Sequence, residues 1–414
     1  MPTFNVKKAV IIMGIIFLVV AVIIIIVKLV QKTDLKTTLP SGNDIQNNGS
    51  LPIAGVGGQN GTDITGDQRL ETADGTPIDQ QVTTEQATEE NLNRDNKIQD
   101  LIEYTSANPT LAGDGNSVQY YDQADNKFYK INDNGEPVAM TQKEFFNVDN
   151  VVWSPDKNKA ILEYPDQNKV IYDFSTDKQI SLPKHWQDFQ FSPGGQQIVF
   201  KSIGYDPSDS WLAVVSNDGT SAKIIEKIGT NADQVISSWS PNNQTIAMYA
   251  EGQGFDSKTV YFVGLNGENF KSMTVYGRGF QPVWSPAGSR LLYSVYSSQN
   301  NMKPSLWTAE AQGEAIGANL KPLNLETWAE KCVFASDSEA YCAVPQSLPD
   351  GAGLLPTGTK DNGDNLYLVN LSSGQTTIID DSGLYNMTNL ILTTDKQSLY
   401  FTDQKTNKLL KLNL

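Results

Sequence analysis

Residues 151–164 read VVWSPDKNKAILEY, and the stretches SSWSPNNQTIAMYA at 237–250 and PVWSPAGSRLLYSV at 282–295 have the same arrangement. Each consists of Trp-Ser-Pro, a short polar turn and an apolar run. Proline has no amide hydrogen to donate to a sheet, so it marks the turn between two strands. The three stretches therefore predict one type of β-hairpin, made three times.

Weaker copies of this hairpin extend the repeat along the chain. The tryptophan position is occupied in turn by Leu111, Trp153, Phe191, Trp239, Trp284, Phe334 and Leu392. Neighbouring positions lie 38 to 58 residues apart, which is about the length of a four-stranded propeller blade. Each unit also has a second predicted hairpin, such as KTVYFVGLNGENFKSMT at 258–274, where alternating apolar residues flank an Asn-Gly turn.

The sequence predicts an all-β fold over residues 98–414, a β-propeller of about seven four-stranded blades, with six as the alternative. The last unit ends at Leu414 after its third strand, whereas IQDLIEYT at 98–105 is an extra strand at the start of the domain. We expect this N-terminal strand to complete the last blade, because a closed ring leaves fewer open sheet edges.

The N-terminal part predicts a membrane anchor and a tether. A short basic tail (1–8) precedes a predicted transmembrane helix at 9–30, which contains 19 uncharged residues, AVIIMGIIFLVVAVIIIIV. This length spans roughly 28 Å, close to the thickness of a bilayer core. A cleaved signal peptide is the alternative, but its apolar core is usually shorter. Residues 31–97 are polar and acidic, which predicts a flexible linker.

The orientation predicted for this anchor puts the N-terminus in the cytoplasm and the propeller outside it. Lysines lie on both sides of the apolar segment, at positions 7, 8, 28, 32 and 36, so the positive-inside rule alone does not decide. The expectation rests on the short basic N-terminus, which usually stays in the cytoplasm.

The Trp-Ser-Pro pattern, followed by a turn and an Ile-Ala-Tyr-like run, resembles the TolB-type β-propeller repeat, which is related to the WD40-like repeats. The resemblance covers 98–414 and implies a propeller of six to eight blades. The family includes periplasmic interaction proteins and the propellers of oligopeptidases, so the resemblance implies fold more than function. We interpret Trp153, Phe191, Trp239, Trp284 and Phe334 as packing residues that point into the next blade.

The composition argues against nucleic-acid binding and against most kinds of catalytic and metal site. The chain carries a formal net charge of −16, which disfavours contact with nucleic acid. It has one histidine, His185, and no Gly-x-Ser-x-Gly motif, so a hydrolase triad is not expected. A Cys/His zinc site lacks ligands. We therefore predict no enzyme activity, metal or cofactor, with a degenerate propeller hydrolase as an alternative.

Two cysteines, Cys332 and Cys342, lie on the two strands of one predicted hairpin. In an exported domain they can form a cross-strand disulfide if the strand register places them on the same face. Two buried thiols are the alternative.

The connecting loops differ in length, and the long ones predict which face of the propeller binds a partner. The connections after the second strand are long in units 3 to 6, and they emerge on the same side as the connections between blades. Long loops on a rigid scaffold often carry recognition. The predicted partner residues are Phe146, Trp186, Tyr205, Phe255, Tyr276, Arg278, Trp328, Glu330 and Tyr385. Aromatic residues with a few charges suit a protein-binding or scaffold module in the cell envelope, with glycan as the second choice of partner. An envelope sensor of glycan or peptide is the alternative function.

Overall fold

The computed structural model describes residues 97–102, 106–132, 134–268, 270–355 and 361–414. The predicted basic tail, the transmembrane helix at 9–30 and the linker up to residue 96 lie outside these residues. Within the described part of the chain, no helix is both long and apolar enough to cross a membrane. The described secondary structure consists of β-strands and short 3₁₀ turns.

The strands follow one another in the chain as a regular series. The first is β1 (Ile98–Asp100), followed by blade 1 with β2 (Ser106–Leu111), β3 (Val118–Asp122), β4 (Lys127–Ile131) and β5 (Pro137–Ala139). Blade 2 has β6 (Asn150–Trp153), β7 (Lys159–Glu163), β8 (Lys169–Asp173) and β9 (Lys178–Leu182), and blade 3 has β10 (Trp186–Phe191), β11 (Gln197–Ser202), β12 (Trp211–Ser216) and β13 (Lys223–Lys227). Blade 4 has β14 (Val235–Ser237), β15 (Ala247–Gly254), β16 (Ser257–Val263) and β17 (Met273–Val275), and blade 5 has β18 (Arg278–Trp284), β19 (Arg290–Tyr296), β20 (Pro304–Glu310) and β21 (Lys321–Pro322). Blade 6 has β22 (Cys332–Ser336), β23 (Glu339–Pro345), β24 (Asp364–Asn370) and β25 (Thr376–Asp380), and blade 7 has β26 (Met387–Leu392), β27 (Ser398–Asp403) and β28 (Lys408–Asn413).

These strands form seven antiparallel sheets of four strands each, so the chain is a seven-bladed β-propeller. The prediction of seven blades is confirmed, and the alternative of six is not needed. In the seventh sheet β1 lies beside β28, with Ile98 opposite Leu412 and Asp100 opposite Leu410. The first strands contact one another in five of the seven pairs of neighbouring blades, which places them around the centre of the ring.

The serine of the Trp-Ser-Pro motif closes the first hairpin of its blade. In blade 2, Ser154 Oγ accepts a hydrogen bond from the Lys159 amide at 3.0 Å, and the hydroxyl is buried. Equivalent bonds join Ser192 to Gln197, Ser240 to Thr245, Ser285 to Arg290 and Thr393 to Ser398. Three residues after the serine the backbone is left-handed, with φ of 63° at Lys157 and 68° at Gly288. These serines therefore fix turns and do not serve as nucleophiles.

Seven hydrophobic clusters of the described residues lie one at each junction between blades, and an eighth, smaller cluster contains Trp328, Leu348 and Ala352. Representative buried pairs are Phe128 with Tyr172, Ile171 with Phe200, Val214 with Ala247, Phe262 with Leu291, Leu306 with Cys342, Leu366 with Phe401, and Leu409 with Val118. Both faces of each sheet are therefore buried against a neighbour, which is why the inner strands are nearly continuous apolar runs.

The repeated aromatic residues pack into these clusters, but towards the preceding blade and not the next one. The indole nitrogen of Trp153 donates to the Asn108 carbonyl of blade 1 at 2.9 Å, and that of Trp284 donates to Ser238 Oγ of blade 4 at 2.9 Å. Phe191, Trp239 and Phe334 likewise lie in clusters shared with the preceding blade. The predicted direction was wrong because strand alternation fixes that a side chain faces a neighbour, not which neighbour it faces.

Cys332 and Cys342 face each other across β22 and β23. They are direct partners in the strand register, their Cα atoms are 4.1 Å apart, and the structure joins them by a disulfide. Both residues are buried in the cluster between blades 5 and 6. The register, which the sequence left open, places the two side chains on the same face of the sheet.

Reduction of this disulfide is expected to lower the free energy of unfolding by about 2–3 kcal/mol, because the bond closes a short loop in the unfolded chain. Urea unfolding of the wild type with and without a reductant measures the effect. The double variant Cys332→Ala/Cys342→Ala controls for the reductant and should not respond to it. Equal midpoints for oxidised and reduced wild type would contradict the expectation.

Candidate functional site

The exposed large apolar residues of the described chain occupy two kinds of position. In each blade, the connections after the second and fourth strands emerge at the same end, which we call the loop face. Seven of these residues lie in loop-face connections: Phe146, Tyr205, Phe255, Tyr276, Leu354, Leu355 and Leu384. The other five lie on strands: Val138, Ile180, Ile224, Tyr261 and Ile378. Within the described ranges, none lies in a connection at the opposite end.

The nine residues predicted for the partner face lie at the loop-face ends of their blades but differ in exposure. The exposed ones are Phe146, Tyr205, Phe255, Tyr276 and Glu330. Trp186, Arg278 and Tyr385 are half-buried, and Trp328 is buried. The structure brings Phe255, Tyr276 and Arg278 together at the junction of blades 4 and 5, whereas the other six are distributed over other blades.

Two of the predicted tryptophans serve the fold. Trp328 is only 5% exposed, because Leu348 and Ala352 of the connection between β23 and β24 cover it. Trp186 stacks on Phe200 with 3.9 Å between ring centroids. The interpretation of Trp328 as a contact residue therefore needs correction. A long loop exposes some residues and covers others. Its length alone does not show which residues are exposed and which are covered.

Three loop-face connections are hydrogen-bonded to one another. We call residues 254–257, 297–303 and 349–355 the loop ridge. The Ser298 amide donates to Asp256 Oδ2 at 3.0 Å, which joins blade 4 to blade 5. The Gly351 amide donates to the Asn301 carbonyl at 2.8 Å, which joins blade 5 to blade 6. Residues 251–258 mostly belong to the long hairpin β15–β16, with Phe255 in its turn.

Close backbone approach holds the third part of the loop ridge in place. The Gly353 amide donates to the Met302 carbonyl at 2.8 Å. A Cβ atom at Gly353 would lie 2.5 Å from Cβ of Tyr296 and 2.7 Å from the Met302 carbonyl oxygen. Only glycine fits at this position without a shift of its neighbours. The exposed Leu354 and Leu355 follow directly, so they are presented from a packed loop.

A cavity of about 280 Å³ lies beside the loop ridge at the junction of blades 4 and 5. We call it the ridge pocket. Its lining includes Asp256, Tyr276, Ser297, Asn300, Ser305 and Trp307. The rings of Tyr276 and Trp307 have centroids 6.2 Å apart and planes inclined at 43°. The pocket therefore combines two aromatic rings, one carboxylate and several neutral polar groups, and it is next to Phe255.

Larger cavities occur elsewhere in the described structure. One of about 610 Å³ lies on the outer side of blade 2 beside Phe146. Another, of about 740 Å³, lies between Leu101 and the tyrosines of blade 1. We favour the smaller ridge pocket because it joins residues predicted from the sequence with a second aromatic ring and a carboxylate.

Asp256 organises the charges around the ridge pocket. Its Oδ2 accepts hydrogen bonds from the amide and hydroxyl of Ser298, and its Oδ1 accepts one from Arg278 Nε at 3.4 Å. The hydrogen bond from the Ser298 hydroxyl, supported by Arg278, holds the pKa of Asp256 below its usual range. The Arg278 guanidinium lies 3.9 Å from the centroid of the Phe255 ring, a cation–π contact. Because its pKa is lowered, the carboxyl group of Asp256 is ionised at neutral pH.

A buried ion pair lies near the same face at the junction of blades 6 and 7. Lys331 Nζ is 2.7 Å from Asp364 Oδ2 and donates to Asn386 Oδ1 at 2.8 Å. The same Asp364 oxygen accepts a hydrogen bond from the Met387 amide at 2.6 Å. Both charged side chains are buried, and burial raises the pKa of Asp364 and lowers that of Lys331. The pair links two blades and does not contact the ridge pocket lining.

Sequence reasoning missed Asp256 and Trp307. Asp256 follows the predicted Phe255 directly, so a turn carrying both was a usable signal. Trp307 lies in β20, the third strand of blade 5, and the repeat gave no reason to distinguish it from a packing residue. Trp307 is paired with Pro322 of the short outer strand β21, and its half-buried side chain lines the pocket.

Metal-ligand clusters and the single histidine are two features of the described residues that bear on catalysis. No group of three or more His, Cys, Asp or Glu side chains in this part of the chain is placed to hold a metal ion. His185 is exposed, and its ring lies 6.4 Å from that of Trp186.

Comparison with known proteins supports the fold. No model of a known protein family matches the chain, and no curated protein matches its sequence. The β-propeller domain of Cps50 (Swd1) from Myceliophteria thermophila is 8% identical with a TM-score of 0.51, covering 77% of this chain and 99% of that one. Oligogalacturonate lyase from Vibrio parahaemolyticus is 11% identical with a TM-score of 0.49, covering 76% and 93%.

A third solved structure, the tricorn protease, is 11% identical with a TM-score of 0.48. The alignment covers 75% of this chain and 33% of the protease chain. Of these three, only the Cps50 (Swd1) domain has a TM-score above 0.5, so it alone supports the shared fold. An identity of 8% carries no activity over to this chain.

Proposed function

We propose that this chain is a non-enzymatic binding module that holds a polypeptide partner on the loop face of its propeller. The single observation that carries the proposal is the distribution of exposed apolar residues. All seven that lie in connections are on the loop face, and the described residues of the connections at the opposite end include none. Apolar residues gathered at one end of a rigid scaffold are typical of a protein interface.

The proposal includes attachment to a membrane by the apolar segment at 9–30, with the propeller outside the cytoplasm. Two features support this part. The segment has the length of a bilayer span, and the domain contains a disulfide, a bond that persists mainly in oxidising compartments. In this arrangement the chain displays a binding surface in the cell envelope and serves as a scaffold.

The test is site-specific crosslinking in cells that produce the full chain. We expect Phe255→Ser/Tyr276→Ser/Leu355→Ser to lose at least nine-tenths of the partner crosslinks, because exposed anchors at an interface carry most of the binding energy. The matched control is Val138→Ser/Ile224→Ser/Ile378→Ser, which removes similarly exposed residues from outer strands. It should keep its crosslinks.

Unchanged crosslinks in the loop-face variant, with a normal unfolding midpoint, would contradict the proposal. Equal losses in both triple variants would contradict it as well, because the effect would then be unrelated to the face.

A further inference from the structure

We propose that the ridge pocket binds the side chain of a lysine or arginine residue of the partner polypeptide. The inference rests on the proposed function and adds the chemistry of the partner. It starts from the composition of the lining, which includes the carboxylate of Asp256 and the rings of Tyr276 and Trp307, and no lysine, arginine or histidine.

The aromatic rings favour a cation. Tyr276 is 55% exposed and Trp307 is half-buried, and their planes are inclined at 43° with centroids 6.2 Å apart. An ammonium or guanidinium group is attracted to the face of such rings when it comes within about 6 Å of a centroid. The aliphatic part of a lysine or arginine side chain also covers apolar surface as it enters.

The carboxylate adds a fixed negative charge at the edge of the same space. Donors from Ser298 hold Asp256 in place and keep it ionised. Arg278 offsets part of this charge, but its guanidinium is engaged by the Phe255 ring and it is not among the lining residues. A ligand in the pocket therefore meets the carboxylate and the rings before it meets the arginine.

Charge and size then distinguish among ligands. The chain has a net charge of −16, so it attracts basic segments and repels acidic ones. The volume of about 280 Å³ is below the usual range of roughly 300–1,000 Å³ for small-molecule sites. It suits one side chain better than an oligosaccharide. These two observations favour a basic polypeptide over a glycan.

The test is a ¹⁹F NMR titration of the full chain labelled with 5-fluorotryptophan. The Trp307 resonance is assigned by its loss in Trp307→Phe. The probes are N-acetyl-lysine methylamide, the neutral and nearly isosteric N-acetyl-norleucine methylamide, and N-acetylglucosamine. We expect a saturable shift of the Trp307 resonance with the lysine probe and at least a fivefold weaker response to norleucine.

Variants at Asp256 and Tyr276 identify the groups responsible, with Asp350→Asn and Tyr276→Phe as their controls. Asp256→Asn is expected to weaken lysine binding roughly threefold to fivefold, the range of an exposed charge contact. Asp350→Asn removes an equal charge from the same loop ridge outside the pocket lining and should have a smaller effect. Tyr276→Leu should weaken binding, while Tyr276→Phe should retain it because the ring face remains.

A response to norleucine as strong as to lysine, a shift with N-acetylglucosamine alone, or equal losses in Asp256→Asn and Asp350→Asn would overturn the inference. Failure here is separable from failure of the proposed function. If the loop-face triple variant loses its crosslinks but the lysine titration is flat, only the cation pocket is wrong.

Discussion

Replacing Lys331 with methionine is expected to lower the free energy of unfolding by about 3–5 kcal/mol, the cost of leaving one member of a buried ion pair without its partner. Asp364 is fully buried, and its Oδ1 has no hydrogen-bond partner in the described structure. Without Lys331, its carboxyl group must take up a proton or draw water into the junction of blades 6 and 7. Urea unfolding followed by tryptophan fluorescence measures the loss.

Lys169 provides a matched control for this prediction. It is buried to the same degree as Lys331, at 6% against 5% exposure. Its ammonium group donates to the carbonyls of Gln167 and Lys184, neutral acceptors that water can reach after the substitution. Lys169→Met should therefore cost about 1–3 kcal/mol. A loss for Lys331→Met no larger than that for Lys169→Met would show that the buried charge is not the cause.

The double variant Lys331→Met/Asp364→Leu tests the same explanation from the other side. Because both pKa shifts show that burial disfavours each charged form, removing both charges should recover most of the stability lost in the single variant. If the double variant is as unstable as Lys331→Met, the stability instead depends on the hydrogen bond that Asp364 accepts from the Met387 amide.

The second large effect is expected for Phe128→Ala, at about 3–5 kcal/mol. Phe128 is fully buried between blades 1 and 2, and its ring centroid lies 5.0 to 5.5 Å from those of Tyr121, Phe145, Trp153 and Phe174. Truncation leaves a cavity and removes several edge-to-face contacts at once. The measurement is the urea midpoint and slope of the purified protein.

Phe401 is the comparison residue, because it is also fully buried but has a single described ring neighbour, Tyr385, at 5.6 Å. Phe401→Ala should cost about 1–2 kcal/mol less than Phe128→Ala, since each aromatic pair adds roughly 0.5–1.5 kcal/mol beyond area burial. Phe128→Leu should recover part of the loss. Equal costs for the two alanine variants would mean that ring geometry contributes nothing measurable.

The fold was predictable because the residues of its repeat each favour a particular local structure. Pro155 marks a turn wherever it falls, and Trp153 needs a large apolar space that only a neighbouring sheet offers. The direction of that contact was not predictable, since it depends on how successive sheets are placed in the ring. The pairing of Cys332 with Cys342 also required the register, which a hairpin of uncertain turn length does not determine.

The candidate site was predictable in part. Phe255, Tyr276 and Arg278 were identified because they are aromatic or cationic residues in connections on one side of the ring. Trp307 was missed because it lies within a strand, and the pocket that it lines is completed by Asp256 and Tyr276 from other connections. Trp328 was misread because its burial depends on residues 20 or more positions later in the chain.

Because the core is divided among seven junctions between blades, we expect the ring to lose its packing one junction at a time. Each cluster is shared by only two blades, so a weakened cluster loosens one junction while six others remain packed. The closed ring then behaves like a linear array of nearest-neighbour repeats joined end to end, in which opening can begin at any junction. A destabilised ring is therefore expected to open first at its least stable junction, while the blades themselves stay folded.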